Sequence, residues 1–255
     1  MKDTEAVTVH FLGTSGWFDS ETGNTICIAV ETPSFGVVLD AGNGLAKLDR
    51  TCSLDKPWFI LLSHLHLDHV AGLHTIGKMP FSERLWIVVP DGQREPLERL
   101  MAPPFTTARD RLPFPLQVST VSEARDHLPF EMEALELRHS VPTVGYRLRF
   151  GERVLAYIAD TGPCDNALQL AEKAELLLTE CAYLPGESSE RWPHLNPEAG
   201  ARIARDAEAR QHVLVHFDAS RYDTFAKREE AQRVAAKVFP NTRIAYDGMI
   251  IDLKI

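Results

Sequence analysis

The sequence predicts an α/β protein in which two β-sheets pack face to face and helices cover their outer surfaces. Apolar runs of strand length recur through both halves of the chain, and segments with helical periodicity lie between and after them. The 255 residues, of which 44% are hydrophobic, can bury a large core. Because no linker-like segment divides the chain, we expect residues 1–255 to form a single domain.

The first half of the chain predicts five strands and two helices. Its apolar runs are bounded by glycine, asparagine and aspartate, which favour turns. The segment 13–16, Gly-Thr-Ser-Gly, predicts either a phosphate-binding wall of exposed amides or a plain hairpin turn. Strands are expected at 7–12, 25–30, 37–40, 58–62 and 85–89, and helices at 70–78 and 95–101.

The segment 90–115 differs in character because it carries six prolines. Proline lacks a backbone donor and interrupts regular structure, so only the short helix is expected here. Three interpretations stay open: a lid, a contact with a second copy of the chain, or an irregular excursion that packs on its own domain. The apolar side chains available for any of these are Met101, Phe105 and Phe114.

The second half of the chain repeats the pattern of strands followed by helices. Its clearest helix start is Asn196, an N-cap residue, followed by Pro197 at the first helical position. Strands are expected at 131–137, 144–150, 154–158, 176–179, 213–215, 243–245 and 249–253, and helices at 164–173, 197–210 and 227–238.

The charge and the cysteines restrict the class of protein. The net charge is −9, from 27 basic and 36 acidic residues, and no basic run is present, so nucleic acid is an unlikely partner. The first residues, 1–5, carry no apolar signal segment, and no run is long enough to span a membrane. Four scattered cysteines predict reduced core thiols, so we expect a cytoplasmic protein without membrane association.

The segment 63–69, Ser-His-Leu-His-Leu-Asp-His, directly follows an apolar run that predicts a buried strand. In an extended chain His64 and His66 point the same way and can reach one ion, whereas Asp68 and His69 turn toward a second position. The alternative is a histidine-rich surface turn. Four metal-binding side chains that alternate with leucine favour a site for two divalent ions.

This pattern resembles the His-x-His-x-Asp-His signature of the metallo-β-lactamase fold superfamily. The resemblance implies a four-layer αββα sandwich and a hydrolytic active site with two divalent ions. Asp40, which ends the strand at 37–40, is implied to brace the histidine loop by hydrogen bonds without binding metal. The implied ligands are His64, His66 and His139 for one ion, Asp68, His69 and His216 for the other, and Asp160 as a bridge.

Later motifs are similar to the ribonuclease Z and small phosphodiesterase branch of this superfamily. The segments at 139–146, 160–164 and 216–222 resemble the branch's His-x-Val-Pro-x-x-Gly-Tyr, Asp-Thr-x-Pro-Cys and His-Phe-Ser-x-Arg-Tyr. Two features depart from the branch. The segment 179–182 keeps only the glutamate of His-Glu-Ala-Thr, and the interval from His139 to Asp160 is too short for the tRNA-gripping arm of ribonuclease Z.

Three residues are candidates for proton transfer. Asp68 can accept a proton from the attacking water, and His194, just before a helix N-terminus that favours an anion, can protonate the leaving group. The resemblance implies that His194 contacts the substrate phosphate, and Glu180 is placed to orient it. The alternatives are that His194 is an ordinary loop histidine and that Glu180 is a carboxylate exposed to solvent. His10, His74, His127 and His212 are expected to be structural or exposed.

Three functions remain at this point. The leading hypothesis is a phosphodiesterase that cleaves a small nucleotide-like phosphate ester, because two metal ions activate water and bind phosphoryl oxygens. The alternatives are hydrolysis of a carboxylic ester, thioester or lactone, with tRNA 3′ processing less favoured, and a binding protein without catalysis. Imidazole and carboxylate ligands favour zinc, with manganese or iron as alternatives. The resemblance also implies that a homodimer can form.

Overall fold

The computed structural model describes residues 6–253, so the segment 1–5, expected to lack a signal sequence, lies outside the described residues. Within that range the chain forms fifteen strands. They are β1 (Val7–Gly13), β2 (Ser15–Gly16), β3 (Cys27–Glu31), β4 (Gly36–Leu39), β5 (Trp58–Leu61), β6 (Leu85–Val89), β7 (Leu116–Thr120), β8 (Glu131–Leu137), β9 (Thr143–Phe150), β10 (Arg153–Ile158), β11 (Leu176–Glu180), β12 (Gln211–Val215), β13 (Phe217–Asp218), β14 (Thr242–Ile244) and β15 (Ile250–Leu253).

Seven α-helices and four 3₁₀ segments connect these strands in the described range. The helices are α1 (Leu48–Thr51), α2 (Leu67–Val70), α3 (Arg94–Leu100), α4 (Val121–Ala124), α5 (Asp165–Ala171), α6 (Pro197–Asp206) and α7 (Phe225–Ala236). The 3₁₀ segments are Asn43–Lys47, Ala71–Lys78, Arg109–Arg111 and Arg125–His127. None of these helices is long and apolar enough to cross a bilayer.

Two large sheets form the centre of the molecule. The first has the order β15-β1-β3-β4-β5-β6-β7, antiparallel from β15 to β4 and parallel from β4 to β7. The second has the order β14-β12-β11-β10-β9-β8, parallel from β14 to β10 and antiparallel from β10 to β8. Parallel strands are covered on both faces, which explains their nearly continuous apolar runs.

The core between the two sheets contains side chains from both halves of the chain, for example Phe11 and Leu39 from the first sheet and Tyr157 and Leu178 from the second. A second cluster lies between the outer face of the first sheet and its helices, and a third lies under α6 and α7. The predicted four-layer αββα sandwich is confirmed. The shared core supports a single domain over residues 1–255, which stays a prediction.

Besides the short elements β2, β13, α1 and α4, which were not expected, two longer elements differ from the expectations. The helix predicted at 70–78 is a 3₁₀ segment over Ala71–Lys78. Glycine weakens an α-helix. Gly72 also lies so close to the loop that follows β4 that a Cβ there would be 2.1 Å from the carbonyl oxygen of Gly42. Strand β7 was not predicted, because it directly follows the proline-rich segment, although Leu116 and Val118 alternate with polar residues as an edge strand requires.

The proline-rich segment 90–115 packs partly on its own domain. Phe114 is buried in the outer cluster of the first sheet, and Met101 packs against the same cluster. Phe105 stays exposed. The excursion that packs on its own domain is therefore the interpretation that these contacts support, whereas the lid and the contact with a second copy stay predictions.

Candidate metal centre

The seven predicted ligands lie together at one edge of the two sheets. They are carried by the loops that follow β5, β8, β10 and β12, where a sandwich of this kind brings strand ends from both sheets close together. Residues that are distant in sequence therefore meet at one point. The side chains brought together are His64, His66, Asp68, His69, His139, Asp160 and His216.

The first group, which we call the aspartate-rich half, consists of Asp68, His69 and His216. The Nε2 atoms of His69 and His216 lie 3.0 Å apart. Asp68 Oδ2 lies 3.2 Å from His216 Nε2 and 3.6 Å from His69 Nε2. Asp160 Oδ1 faces the same point, 3.4 Å from His69 Nε2 and 3.3 Å from His216 Nε2.

These separations fit a tetrahedral ion. Ligand atoms at 2.0–2.1 Å from zinc in a tetrahedron lie about 3.3 Å from one another. The measured separations, from 3.0 to 3.6 Å, surround that value. The aspartate-rich half thus offers two nitrogen and two oxygen ligands in an arrangement that can hold one divalent ion.

The second group, which we call the three-histidine half, consists of His64, His66 and His139. His139 Nε2 lies 3.5 Å from His66 Nδ1 and 3.9 Å from Asp160 Oδ2. His64 Nε2 is buried and has no hydrogen-bond partner. An unpaired buried nitrogen is costly unless something outside the protein satisfies it, and a metal ion would do so.

Asp160 lies between the two halves. Its Oδ1 atom faces His69 and His216, whereas its Oδ2 atom faces His139. The residue is 3% exposed, and Oδ1 is buried without a hydrogen-bond partner. A carboxylate with one oxygen directed at each group of histidines can bridge two ions.

Asp40 braces the histidine loop, as the resemblance implied. This fully buried carboxylate accepts hydrogen bonds from the Ser63 amide at 2.7 Å, the Ser63 hydroxyl at 2.8 Å and the Tyr157 hydroxyl at 2.6 Å. His69 Nδ1 lies 2.8 Å from Asp40 Oδ2, and because a carboxylate only accepts, that nitrogen donates. His69 Nε2 is therefore the ring nitrogen that faces an ion, and a proton at that atom would have to leave when the ion binds.

The same network orients His64. Since the Ser63 hydroxyl gives its proton to Asp40, its oxygen can accept from His64 Nδ1, which lies 3.0 Å away. His64 then presents an unprotonated Nε2 to the three-histidine half. Asp40 thus determines the tautomer of one histidine directly and of another through Ser63, which is how outer partners orient metal ligands.

Backbone strain is concentrated at this centre. Five residues other than glycine have a positive φ in the described range, and three of them belong to the site: Trp17 at 71°, Asp40 at 55° and His216 at 51°. The neighbouring Gly16 lies against the His216 ring, where a Cβ would be only 2.5 Å from a ring atom. Strained backbone of this kind persists mainly where function requires it.

The two halves differ in their electrostatics. Burial is the main reason why the pKa values of His64, His66 and His139 are lowered, so these imidazoles are neutral and ready to bind an ion. Burial also disfavours charge on His69 and His216. There, however, carboxylates led by Asp160 outweigh burial and raise the pKa values.

Asp68 belongs to the same charge network. Burial of the Asp68 carboxylate raises its pKa, but the attraction of His69 and His216 lowers the pKa by more. The pKa of Asp68 is therefore lowered, and the carboxylate stays ionised. Its Oδ2 atom also accepts a hydrogen bond from the Trp17 amide at 2.7 Å. Asp68 is thus held in position as an anionic ligand.

His194 lies next to the metal centre and is oriented by Glu180. Its Nδ1 atom is 2.8 Å from Glu180 Oε1 and 4.0 Å from Asp160 Oδ2. Burial disfavours the charged imidazolium, but Glu180, with Asp160 and Asp218, outweighs it and raises the pKa of His194 to about 9. These carboxylates therefore favour the protonated form of His194.

Glu180 is not the solvated carboxylate of the alternative interpretation. It is fully buried and accepts hydrogen bonds from the amides of Thr161 at 2.8 Å and Ala182 at 3.0 Å. These bonds leave the carboxylate pointing at His194. His212, which we expected to be structural, is buried between the hydroxyls of Thr179 and Thr242.

Two contributors to the site were missed in the sequence. Tyr157 donates to Asp40 from the neighbouring sheet, and the Trp17 amide binds Asp68, but no local pattern connects residues so far apart. The phosphate wall proposed for 13–16 has no free amides at its centre, since Thr14 and Ser15 both donate to the carbonyl of Asn24. It is not a plain hairpin either, because β2 pairs in parallel with β13.

The sequence matches the family described as the Beta-lactamase superfamily domain over residues 36–217, more than half of the chain. The chain belongs to the beta-lactamase superfamily. It is a metallo-hydrolase of this superfamily, and the fold implies divalent metal ions. The residues between β4 and β13 that form most of the metal centre lie within the matched region.

The relatives of this beta-lactamase superfamily member include ribonucleases. Ribonuclease Z from Metallosphaera sedula is 24% identical over 299 aligned positions, which cover 96% of this chain and 99% of the relative. The aligned length exceeds the 255 residues of the chain, so the relative has segments that this chain lacks. The predicted similarity to the ribonuclease Z branch is confirmed.

Solved structures agree with the fold. The metallo-β-lactamase fold protein YhfI from Bacillus subtilis has a TM-score of 0.80 at 22% identity, covering 96% of this chain and 99% of its own. The short form of human tRNase Z has a TM-score of 0.75 at 22% identity, covering 97% and 100%. A diphosphatase of the PhnP family has a TM-score of 0.75 at 16% identity, covering 98% of each chain.

Proposed function

We propose that this metallo-hydrolase is a phosphodiesterase that cleaves a small nucleotide-like phosphate ester at two divalent ions. The observation that carries the proposal is the position of His194 beside the metal centre, where its Nδ1 atom lies 2.8 Å from the buried carboxylate of Glu180. When it is protonated, the imidazole at this position attracts an anionic phosphate. It can also supply the proton that an alkoxide leaving group requires.

The ligand assignment follows from the geometry. His64, His66 and His139 would hold one ion, Asp68, His69 and His216 the other, and Asp160 would bridge them. When bound, two such ions lower the pKa of a water molecule and stabilise negative charge on phosphoryl oxygens. Mixed imidazole and carboxylate ligands favour zinc, with manganese or iron as the alternatives.

The protein's own residues then divide the proton transfers. Hydrolysis adds a water oxygen to phosphorus and breaks the bond from phosphorus to the leaving oxygen. Asp68, which is ionised and would lie beside the ions, would accept a proton from the attacking water. His194 gives the proton on its Nε2 atom to the leaving oxygen, because its Nδ1 atom is bound to Glu180. Glu180 is therefore a positioning residue.

Two alternative activities have their own support. Hydrolysis of a carboxylic ester, thioester or lactone uses the same ions, since dinuclear sites of this kind determine the mechanism more than the substrate. The relatives named ribonuclease Z support tRNA 3′ processing, so nucleic acid is not excluded as a substrate. The net charge of −9 and the absence of an insertion between His139 and Asp160 favour a small phosphate ester.

The remaining predictions concern the context of the enzyme. The partner we expect is a small-molecule phosphate ester. A cytoplasmic location and a homodimer stay predictions.

Metal analysis of the purified protein combined with two assays tests the proposed function. Cleavage of bis(p-nitrophenyl) phosphate is compared with cleavage of a p-nitrophenyl carboxylic ester, and unprocessed tRNA is tested in parallel. We expect about two metal equivalents per chain, as the two groups of ligands require, and dominant diester cleavage. Dominant cleavage of the carboxylic ester or of the tRNA would replace the proposal with that alternative.

A further inference from the structure

Two large aromatic side chains lie exposed beside the aspartate-rich half. Trp17 is 66% exposed and Phe18 is 45% exposed. Their ring centroids are 5.3 Å apart with an interplanar angle of 63°, so the edge of one ring packs against the face of the other. Leu67, which precedes the ligand Asp68, is also mostly exposed. Contiguous apolar surface of this kind commonly marks a place where a ligand binds.

Trp17 is tied directly to the metal centre. Its amide donates to Asp68 Oδ2 at 2.7 Å, and the preceding Gly16 lies against the His216 ring. Covalent geometry alone then places the indole within roughly 10 Å of the Asp68 carboxylate. A substrate whose phosphate binds the ions can therefore reach this surface with a neighbouring group.

The segment that carries the two rings is anchored from behind. The fully buried Arg228 donates to the hydroxyls of Thr14 and Ser15, each at 2.9 Å, and its guanidinium lies 4.5 Å from the centre of the Phe217 ring. Trp17 itself has a φ of 71°, a conformation unusual for a bulky residue. The backbone that carries the two rings is thus anchored by the protein.

We propose that the Trp17 ring, with Phe18 packed edge to face against it, is a platform that stacks on a planar aromatic group of the substrate. The inference rests on the proposed phosphodiesterase function and restricts its substrates to phosphate esters that carry an aromatic ring. Stacking accepts any planar base and strengthens binding by roughly fivefold to a hundredfold per ring. The ring is either the base of a retained nucleoside or an aromatic leaving group, and the two share the same chemistry.

Two diesters with the same leaving group distinguish these sources. Thymidine 5′-(p-nitrophenyl phosphate) carries a base, whereas methyl p-nitrophenyl phosphate does not. Trp17→Ala should raise KM for the thymidine diester by roughly tenfold with kcat little changed. An unchanged KM for the methyl diester identifies the base as the stacked group. A similar rise for both identifies the p-nitrophenyl ring, and unchanged KM values for both overturn the platform.

Further variants separate stacking from other roles of the residue. Trp17→Phe should recover most of the affinity, whereas Trp17→Leu should not, because leucine is apolar without a ring. Phe105→Ala removes a ring of similar exposure, 70%, from the proline-rich segment and should leave KM unchanged. Full recovery by leucine, an equal effect of Phe105→Ala, or loss of metal from Trp17→Ala would each overturn the proposed stacking.

A binding measurement keeps the platform testable if the proposed function is wrong. Calorimetric titration with thymidine 5′-monophosphate reports affinity without turnover. If the wild-type protein cleaves neither diester, the phosphodiesterase proposal fails. A Trp17→Ala variant that then binds the nucleotide roughly tenfold more weakly still supports the platform, whereas equal affinity overturns it as well.

Discussion

The two halves of the metal centre hold their ligands in different ways. In the aspartate-rich half, nitrogen and oxygen atoms converge at 3.0 to 3.6 Å, and Asp40 holds the outer nitrogen of His69. His139 Nδ1 and, in the aspartate-rich half, His216 Nδ1 are both buried without a partner. In the three-histidine half, however, His139 Nε2 lies 3.5 Å from His66 Nδ1 and 3.9 Å from Asp160 Oδ2, and no carboxylate holds its outer nitrogen. The aspartate-rich half is therefore the more preorganised of the two.

The halves also differ in what an incoming ion must displace. Carboxylates raise the pKa values of His69 and His216, so a proton competes with metal in the aspartate-rich half. Burial lowers the pKa values of His64, His66 and His139, so an ion meets neutral ligands in the three-histidine half. The negative charge in the aspartate-rich half thus strengthens metal binding and makes it depend on pH. Metal binding in the three-histidine half depends less on pH.

Replacing Asp160, which faces both halves, should have the largest effect. Asp160→Ala should lose one or both ions and reduce diester cleavage to background, because the bridging carboxylate contributes to both sites. Metal content per chain and initial rates check this. Asp206→Ala, on a surface helix, serves as the matched control. Full activity with normal metal content in Asp160→Ala would contradict the bridge.

Removal of His194 should separate catalysis from metal binding. His194→Ala should keep its metal in both halves and lower kcat by roughly a hundredfold or more, as expected when a general acid is lost. The exposed His74, changed to alanine, is the control. Loss of an ion from His194→Ala would instead show that His194 is a metal ligand and belongs to the three-histidine half.

Asp40→Asn should weaken one half more than the other. The lost negative charge reduces support for His69 directly and for His64 only through Ser63, so the aspartate-rich half should lose roughly tenfold to a hundredfold in metal affinity. Titration against a competing chelator measures both affinities. Asp49→Asn, in a surface ion pair, should change neither. Equal losses in the two halves would remove the proposed asymmetry.

Acidification should empty the aspartate-rich half first. A raised pKa means that protons compete with metal from a higher pH, so affinity there falls as pH drops through that raised value, by up to about tenfold per unit for each proton displaced. The lowered pKa values postpone this competition in the three-histidine half. Metal content of His139→Ala and His216→Ala between neutral and acid pH measures each half, and the opposite order would contradict the electrostatic difference.

Much of the candidate site was visible in the sequence because its ligands lie in local patterns. The histidines between 63 and 69 follow a buried strand, and Asp160 and His216 each end an apolar run. A strand pattern is a local property, so it predicts where the chain leaves a sheet and which side chains lie there. Asn196 and Pro197 likewise marked the start of α6, where the Asn196 side chain accepts from the Ala199 amide at 2.8 Å.

The sequence by itself thus determined the fold class, the set of candidate ligands and their order along the chain. Only the tertiary structure decided which residues support them. The Trp17 amide meets Asp68, Tyr157 meets Asp40, and Arg228 anchors Thr14, each across a wide interval of sequence. Such contacts depend on how the two sheets pack, and side-chain periodicity carries no information about partners on another element.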